Sequence, residues 1–235
     1  KFRVTTEEGT IYGAPALILT AGGTAIKLGI PGEDEFAGKG VSYCALCDGA
    51  FFKGETIAVA GGGDAATEEA DFLTRFVEKV YLIHRRDEFR AAKLLQQRVF
   101  KNPKIEIIWD TVVEEALGEE TGLKQLRLKN VKTGDERLLD VTGLFIFIGF
   151  KPNTGLMEQH VEHDDSGYFL TDQDMRTSVP GLFAAGDVRS QLTRQITTAV
   201  GDATTALIAA EKYLKELDEG AGVSSAASGT SAISS

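Results

Sequence analysis

The sequence predicts an α/β fold in two domains, one inserted into the other, and three observations predict it. A strand–glycine–helix–strand unit stands complete in the middle of the chain, an apolar strand closes that region near Gly149, and the pieces on either side are each too small to fold alone. With 235 residues, 43% of them hydrophobic, the chain can bury one large core or two modest ones, and the α/β pattern favours two.

The elements follow in order. "GTIYGAPALILTAGG" reads as a polar hairpin followed by a buried strand over residues 14–20 that runs into a double glycine. "LGIPGEDEFAGKGVSYC" is punctuated by Gly and Pro and reads as a connector between domains. "ETIAVAGGG" is an apolar strand ending in three glycines. Ala66, Ala70, Leu73 and Val77 give the next segment helical spacing, and "KVYLIHRR" is a second strand, which completes a βαβ unit. A second helix over 88–100, a strand over 105–109, a meander turning at Thr133-Gly134 and the buried strand "GLFIFIG" follow. Beyond "FKPNT" come short strands, the run "PGLFAAGDV" and an amphipathic helix over about 195–217. The predicted organisation is therefore an outer domain made of residues 1–24 and 152–218, an inserted domain of residues 25–151, and a small, polar tail over 219–235 expected to be disordered.

Charge and composition exclude several classes. The net charge is −10 with no basic run that could track a phosphate backbone, so nucleic acid is not an expected partner. No stretch approaches the ~18 apolar residues of a membrane span, and "KFRVTTEEGT" has no signal-peptide core, so a soluble cytoplasmic protein is expected. Two cysteines cannot build a disulfide framework.

Three constellations carry chemistry. Gly61-Gly62-Gly63-Asp64-Ala65-Ala66 fits G-x-G-x-x-A between a strand and a helix. Gly61 suits a tight turn, Gly63 lets the backbone approach a pyrophosphate, and Ala66 permits close helix packing. At the end of the next strand, where an NAD site places a carboxylate, stand His84, Arg85, Arg86 and then Arg90. Guanidinium groups there bind a 2′-phosphate, which selects NADPH over NADH. Second, Cys44 and Cys47 form a C-x-x-C. With no second pair and only His84, His160 and His163 to recruit, a zinc site is not expected, and buried inert thiols fit poorly beside Asp48 and Gly49. A redox dithiol is the best reading, with Asp48 placed to move the proton. Third, "GLFAAGDV" sets Asp187 at the C-terminal edge of a strand, and a helix starts near Arg194-Gln195 with its positive end free. Electrons from a nicotinamide need a two-electron carrier before they reach a disulfide, and flavin is that carrier.

The motifs C-A-L-C-D-G at 44–49, "GGGDAATEEADFL", "HRRDEFRA" and "GLFAAGDV" with Arg194-Gln195 resemble, in order and over roughly residues 10–217, the low-molecular-weight bacterial-type thioredoxin reductases. The resemblance implies two Rossmann-like nucleotide-binding domains of the flavoprotein disulfide reductase type, with the NADPH domain inserted into the FAD domain. It implies FAD contacts at Gly22, Gly186, Asp187, Arg194, Gln195 and Ile196, and NADPH contacts at Gly61, Gly63, Asp64, Ala65, Ala66, His84, Arg85, Arg86 and Arg90. It also implies that Cys47 faces the flavin, that Cys44 attacks thioredoxin or a thioredoxin-like protein, that Asp48 is the acid/base, and that the protein is a homodimer. Two departures stand out. Leu46 occupies a position where Thr is common, and the family's N-terminal FAD-binding βαβ is not in this sequence, so weak FAD retention is expected. The competing expectations are a hydroperoxide-reductase-type flavoprotein on the same scaffold and a non-enzymatic NADPH-binding redox module.

Overall fold

A computed structural model describes the backbone of residues 1–227. From the N-terminus the chain forms β1 (Phe2–Thr5), β2 (Ile11–Ala14), β3 (Leu17–Leu19) and β4 (Gly23–Ala25). It continues through β5 (Val41–Ser42), α1 (Ala45–Asp48), a 3-10 turn (Gly49–Phe52), β6 (Thr56–Gly61), α2 (Asp64–Leu73), β7 (Lys79–Ile83), α3 (Lys93–Lys101) and β8 (Ile105–Ile108). Then come β9 (Thr111–Glu119), β10 (Gly122–Asn130), β11 (Glu136–Asp140), β12 (Gly143–Phe147), β13 (Phe150–Pro152), β14 (Leu182–Ala184) and α4 (Ile196–Ala227). The chain divides into two compact units, Ala25–Phe150 and the pair of segments Lys1–Thr24 and Lys151 onward.

The Ala25–Phe150 unit holds a five-stranded parallel sheet in the order β5-β12-β6-β7-β8. Strands covered on both faces read as continuous apolar runs, and β6 and β12 do: Ile57, Val59, Leu144 and Phe145 are all buried. On one face Ala66, Ala70 and Leu73 of α2 pack with Ile57, Val59, Leu82 and Phe145. On the other, Ala58, Ala60, Leu144 and Ile146 meet Val113, Leu126 and Leu128 of the antiparallel sheet β11-β10-β9. Its two ends meet, since the Ile26 N–H donates to the Gly149 carbonyl at 3.0 Å.

In the other unit β3 and β14 pair in parallel. Phe183 and Ala185 pack with Ala206, Ala209 and Ala210 of α4, while Leu182, Ala184 and Val188 pack with Val161 and Phe169. The two segments of this unit are tied where the chain leaves and returns, the Asn153 N–H donating to the Gly22 carbonyl at 3.0 Å and Asn153 Nδ2 to the Ala21 carbonyl at 2.8 Å.

Local boundaries differ from the sequence reading in three places. The helix expected over 88–100 begins at Lys93, because residues 84–92 fold across the glycine loop instead. There the Arg90 N–H donates to the Gly62 carbonyl, the Ala92 N–H donates to Asp64 Oδ1 at 2.7 Å, and buried Phe89 packs on Trp109 with ring centroids 4.4 Å apart. The strand expected over 14–20 is shortened to β3, Leu17–Leu19, because Pro15 has no N–H for a ladder and Ala14 instead ends β2 of the hairpin. The last helix continues past 217 to Ala227, and the remainder of the tail expected to be disordered, 228–235, lies outside the described residues.

Candidate active site

Cys44 and Cys47 are joined in a disulfide with Cα atoms 5.3 Å apart. Extended Cys44 caps the one-turn α1, its Sγ accepting from the Cys47 N–H at 3.1 Å. The turn rests on buried Ala45 and exposes Leu46. Asp48 does not cap the following turn with its side chain; its Oδ2 accepts instead from Ser42 Oγ at 2.6 Å. Ser42 lies buried on β5 and also accepts from the Cys44 N–H at 3.1 Å. One residue before the pair, the Tyr43 hydroxyl donates to Glu33 Oε1 at 2.7 Å. Glu33 is itself buried and accepts from the backbone N–H groups of Leu28, Gly29 and Ile30, so one carboxylate organises the connector and the approach to Cys44. Burial and the neighbouring Glu33 carboxylate push the Tyr43 phenol well above its usual range, keeping it a donor.

In the same unit a cleft of about 430 Å³ opens over the C-terminal ends of β6, β7 and β12, where parallel sheets bind ligands. It is lined by Gly61, Gly63, Asp64, Ala65, Arg85 and Arg90, among others. Gly61 takes φ +151°, and a Cβ there would overlap the Phe147 carbonyl and Ala66 Cβ. Gly63 caps α2, and a Cβ there would meet open space. Gly62 has a separate reason: a Cβ there would fall into the His84 ring. His84 lines the cleft but is buried, with Nε2 3.1 Å from the Glu88 carbonyl, and burial together with Arg86, Arg90 and Arg85 lowers its pKa. Arg85, Arg86 and Arg90 are exposed, and Arg86 is not among the residues lining the cleft.

The Gly186–Asp187 turn belongs to the other unit. Gly186 takes φ +78°, and its N–H donates to Asp202 Oδ2 at 3.1 Å. Asp202 pairs with Arg189 Nη1 at 3.1 Å, both side chains nearly buried at 11% and 14% exposure. Arg189 also reaches Thr171 and Gln191, and Gln191 Nε2 donates to the Gly186 carbonyl. Asp187 Oδ1 is buried and finds no hydrogen-bond partner among the described residues. The Arg194 guanidinium lies 4.2 Å from the Tyr168 ring centroid, Gln195 is half-buried, and Ile196 is exposed at the start of α4. Gly22 takes φ +64° beside Asn153.

Sequence reasoning missed Ser42, Glu33, Tyr43, Gly62, Arg189 and Asp202. Only Gly62 had a visible signal, as a third glycine that the motif does not require. Among the described residues no cluster of ligating side chains could hold a metal ion.

A parallel sheet with a glycine-rich turn over a cleft, and a disulfide in the same unit, define a pyridine-nucleotide-linked disulfide oxidoreductase. The family of that description, pyridine nucleotide-disulphide oxidoreductase, matches residues 1–203. The thioredoxin reductase of Listeria innocua is 45% identical over 219 residues, covering 93% of this chain and 69% of that protein. That of Treponema pallidum is 48% identical over 216 residues, 92% and 69%. The crystal structure of thioredoxin reductase from Streptococcus pyogenes superposes with a TM-score of 0.88 at 46% identity, covering 91% of this chain and 70% of that one. The chain belongs to the low-molecular-weight thioredoxin reductases, flavoprotein oxidoreductases that act on a sulfur group with FAD and NADPH.

Proposed function

We propose that this chain's residues divide the family's reaction among three sites, and that the two units are an NADPH-binding unit carrying the redox pair and an FAD-binding unit. The observation that carries this reading is the Cys44–Cys47 disulfide at an exposed turn in the same unit as the glycine-loop cleft. Gly61, Gly63, Asp64, Ala65 and Ala66 bring backbone N–H groups to a pyrophosphate. Arg85, Arg86 and Arg90 hold the 2′-phosphate, and His84 supports the loop from beneath. The unsatisfied Asp187 oxygen fits a hydroxylated chain such as the ribityl of FAD, with Gly22, Gly186, Arg194, Gln195 and Ile196 completing the flavin platform. When bound there, FAD would supply the two-electron relay between nicotinamide and disulfide.

Cys47 is the sulfur that would face the flavin. Cys44 attacks the disulfide of thioredoxin, the substrate implied by the family, while Asp48 takes up and returns a proton beside the pair. A cytoplasmic homodimer completes the reading, supported by the family resemblance; among the described residues no helix is long and apolar enough to cross a membrane. The test uses the FAD-reconstituted chain. Cys44→Ser should abolish thioredoxin reduction while NADPH still bleaches the flavin absorbance, and thioredoxin turnover in that variant would overturn the role given to Cys44.

A further inference from the structure

The hydroxyl of Ser42 lies between the proposed acid/base and the cysteine proposed to attack substrate. Its oxygen is 2.6 Å from Asp48 Oδ2, accepts from the Cys44 N–H at 3.1 Å, and stands 3.4 Å from the Cys44 carbonyl oxygen. The residue is buried on β5, whose neighbour β12 pairs with it in parallel, so the hydroxyl is held by the sheet rather than by the turn that reacts. A side-chain hydroxyl can donate once and accept twice. Facing a carboxylate, Ser42 donates to it. Facing the protonated acid, it accepts, and its own hydrogen can turn to the Cys44 carbonyl. The contact between Asp48 and the redox turn therefore persists through both protonation states of the carboxyl, which a backbone N–H or an ammonium could not arrange.

We propose that Ser42 is a positioning residue that keeps the Asp48 carboxyl in register with the Cys44–Cys47 pair throughout the proton cycle. The proposal rests on the acid/base reading of Asp48. In the oxidative half of the cycle the Cys44 thiolate attacks a substrate disulfide, forming a mixed disulfide and releasing one thiolate. The Cys47 thiolate then attacks Cys44 Sγ, re-forming the Cys44–Cys47 bond and releasing the second thiolate. Two electrons leave with the substrate, and the two protons lost by the cysteine thiols balance those taken by the products, Asp48 carrying the one exchanged beside the pair.

The experiment needs no flavin. The chain is reduced, desalted and mixed with 5,5′-dithiobis(2-nitrobenzoate), and the rate of thiol–disulfide exchange is followed from pH 5 to 9 in wild type, Ser42→Ala, Ser42→Thr, Asp48→Asn and the Ser42→Ala/Asp48→Asn double variant. Asp48→Asn should displace the midpoint of the profile. Ser42→Ala should displace it in the same direction by about half a pH unit or more, which is about threefold in rate at fixed pH on the acid limb. Ser42→Thr, which keeps the hydroxyl, should follow wild type. In the double variant Ser42→Ala should add no further displacement, because a residue acting through Asp48 has nothing left to act on. An unchanged profile in Ser42→Ala beside a displaced one in Asp48→Asn, full additivity in the double variant, or a Thr profile that matches Ala would overturn the positioning role alone. An unmoved profile in Asp48→Asn would overturn the acid/base reading, and the inference with it.

Discussion

Asp202 holds the Gly186–Asp187 turn from below, and replacing it by alanine should cost the unit that contains it a measurable part of its stability. The substitution strands the Arg189 guanidinium at 14% exposure and removes the acceptor of the buried Gly186 N–H. Removing one partner of a buried pair costs about 3–5 kcal/mol, and an unsatisfied buried N–H costs about 1–3 kcal/mol. These do not add, because one residue supplies both contacts and Arg189 keeps Thr171 and Gln191. About 3 kcal/mol is the consistent figure, and with a urea slope of about 2 kcal/mol per molar the midpoint should fall by about 1.5 M. Two probes separate the units. The single tryptophan, Trp109, lies in the Ala25–Phe150 unit and should report an unchanged transition by fluorescence, while far-ultraviolet circular dichroism, which includes α4, should show the loss. Replacing the whole pair, Arg189→Met with Asp202→Leu, should recover most of the stability, since no charge is then left buried. A fall of less than about 0.3 M in Asp202→Ala, about 0.6 kcal/mol at the same slope, would refute the reasoning, as would a double variant as unstable as the single one.

Two other outcomes are expected. Arg85→Ala with Arg86→Ala should weaken NADPH binding by about tenfold or more, at ~1.5–3 kcal/mol for each charged hydrogen bond lost, and leave NADH within about twofold; equal losses in a fluorescence titration would remove the case for 2′-phosphate recognition. His84 titrates below its ordinary value because it is buried among three arginines. Its contribution is therefore fully present above about pH 6.5, the unfolded value, and is lost as the pH falls through the lower folded value. Trp109-monitored stability should drop over that acidic window, and His84→Asn should flatten the dependence; an unchanged slope in the variant would assign the acid sensitivity to other groups.

The parts of this molecule that a sequence displays are those with a short repeat or a fixed spacing. β6 and α2 could be placed from "ETIAVAGGG" and the Ala66, Ala70, Leu73 series because strand and helix periods are local properties. The C-x-x-C and the arginines after β7 were legible for the same reason. The onset of α3 was not, since residues 84–92 have helical composition and are pulled away by the Gly62 carbonyl, Asp64 and the Phe89–Trp109 contact. The companions of the sites were also hidden. Asp202 lies 16 residues from the Gly186 it holds and Glu33 ten from Tyr43, and nothing in the sequence marks those pairs until the fold closes. His84 read as one more basic group near a phosphate, whereas packing shows it as the floor on which Gly62 rests.

The Ile26–Gly149 and Asn153–Gly22 hydrogen bonds have a consequence at the level of the gene. A segment whose first and last residues are neighbours is joined to its host through two adjacent crossings, so excising it leaves a gap that a short linker can span. Codons 25–150 thus mark out a segment that can be excised in one piece, and circular dichroism of the excised segment and of the closed host would measure whether each folds apart from the other.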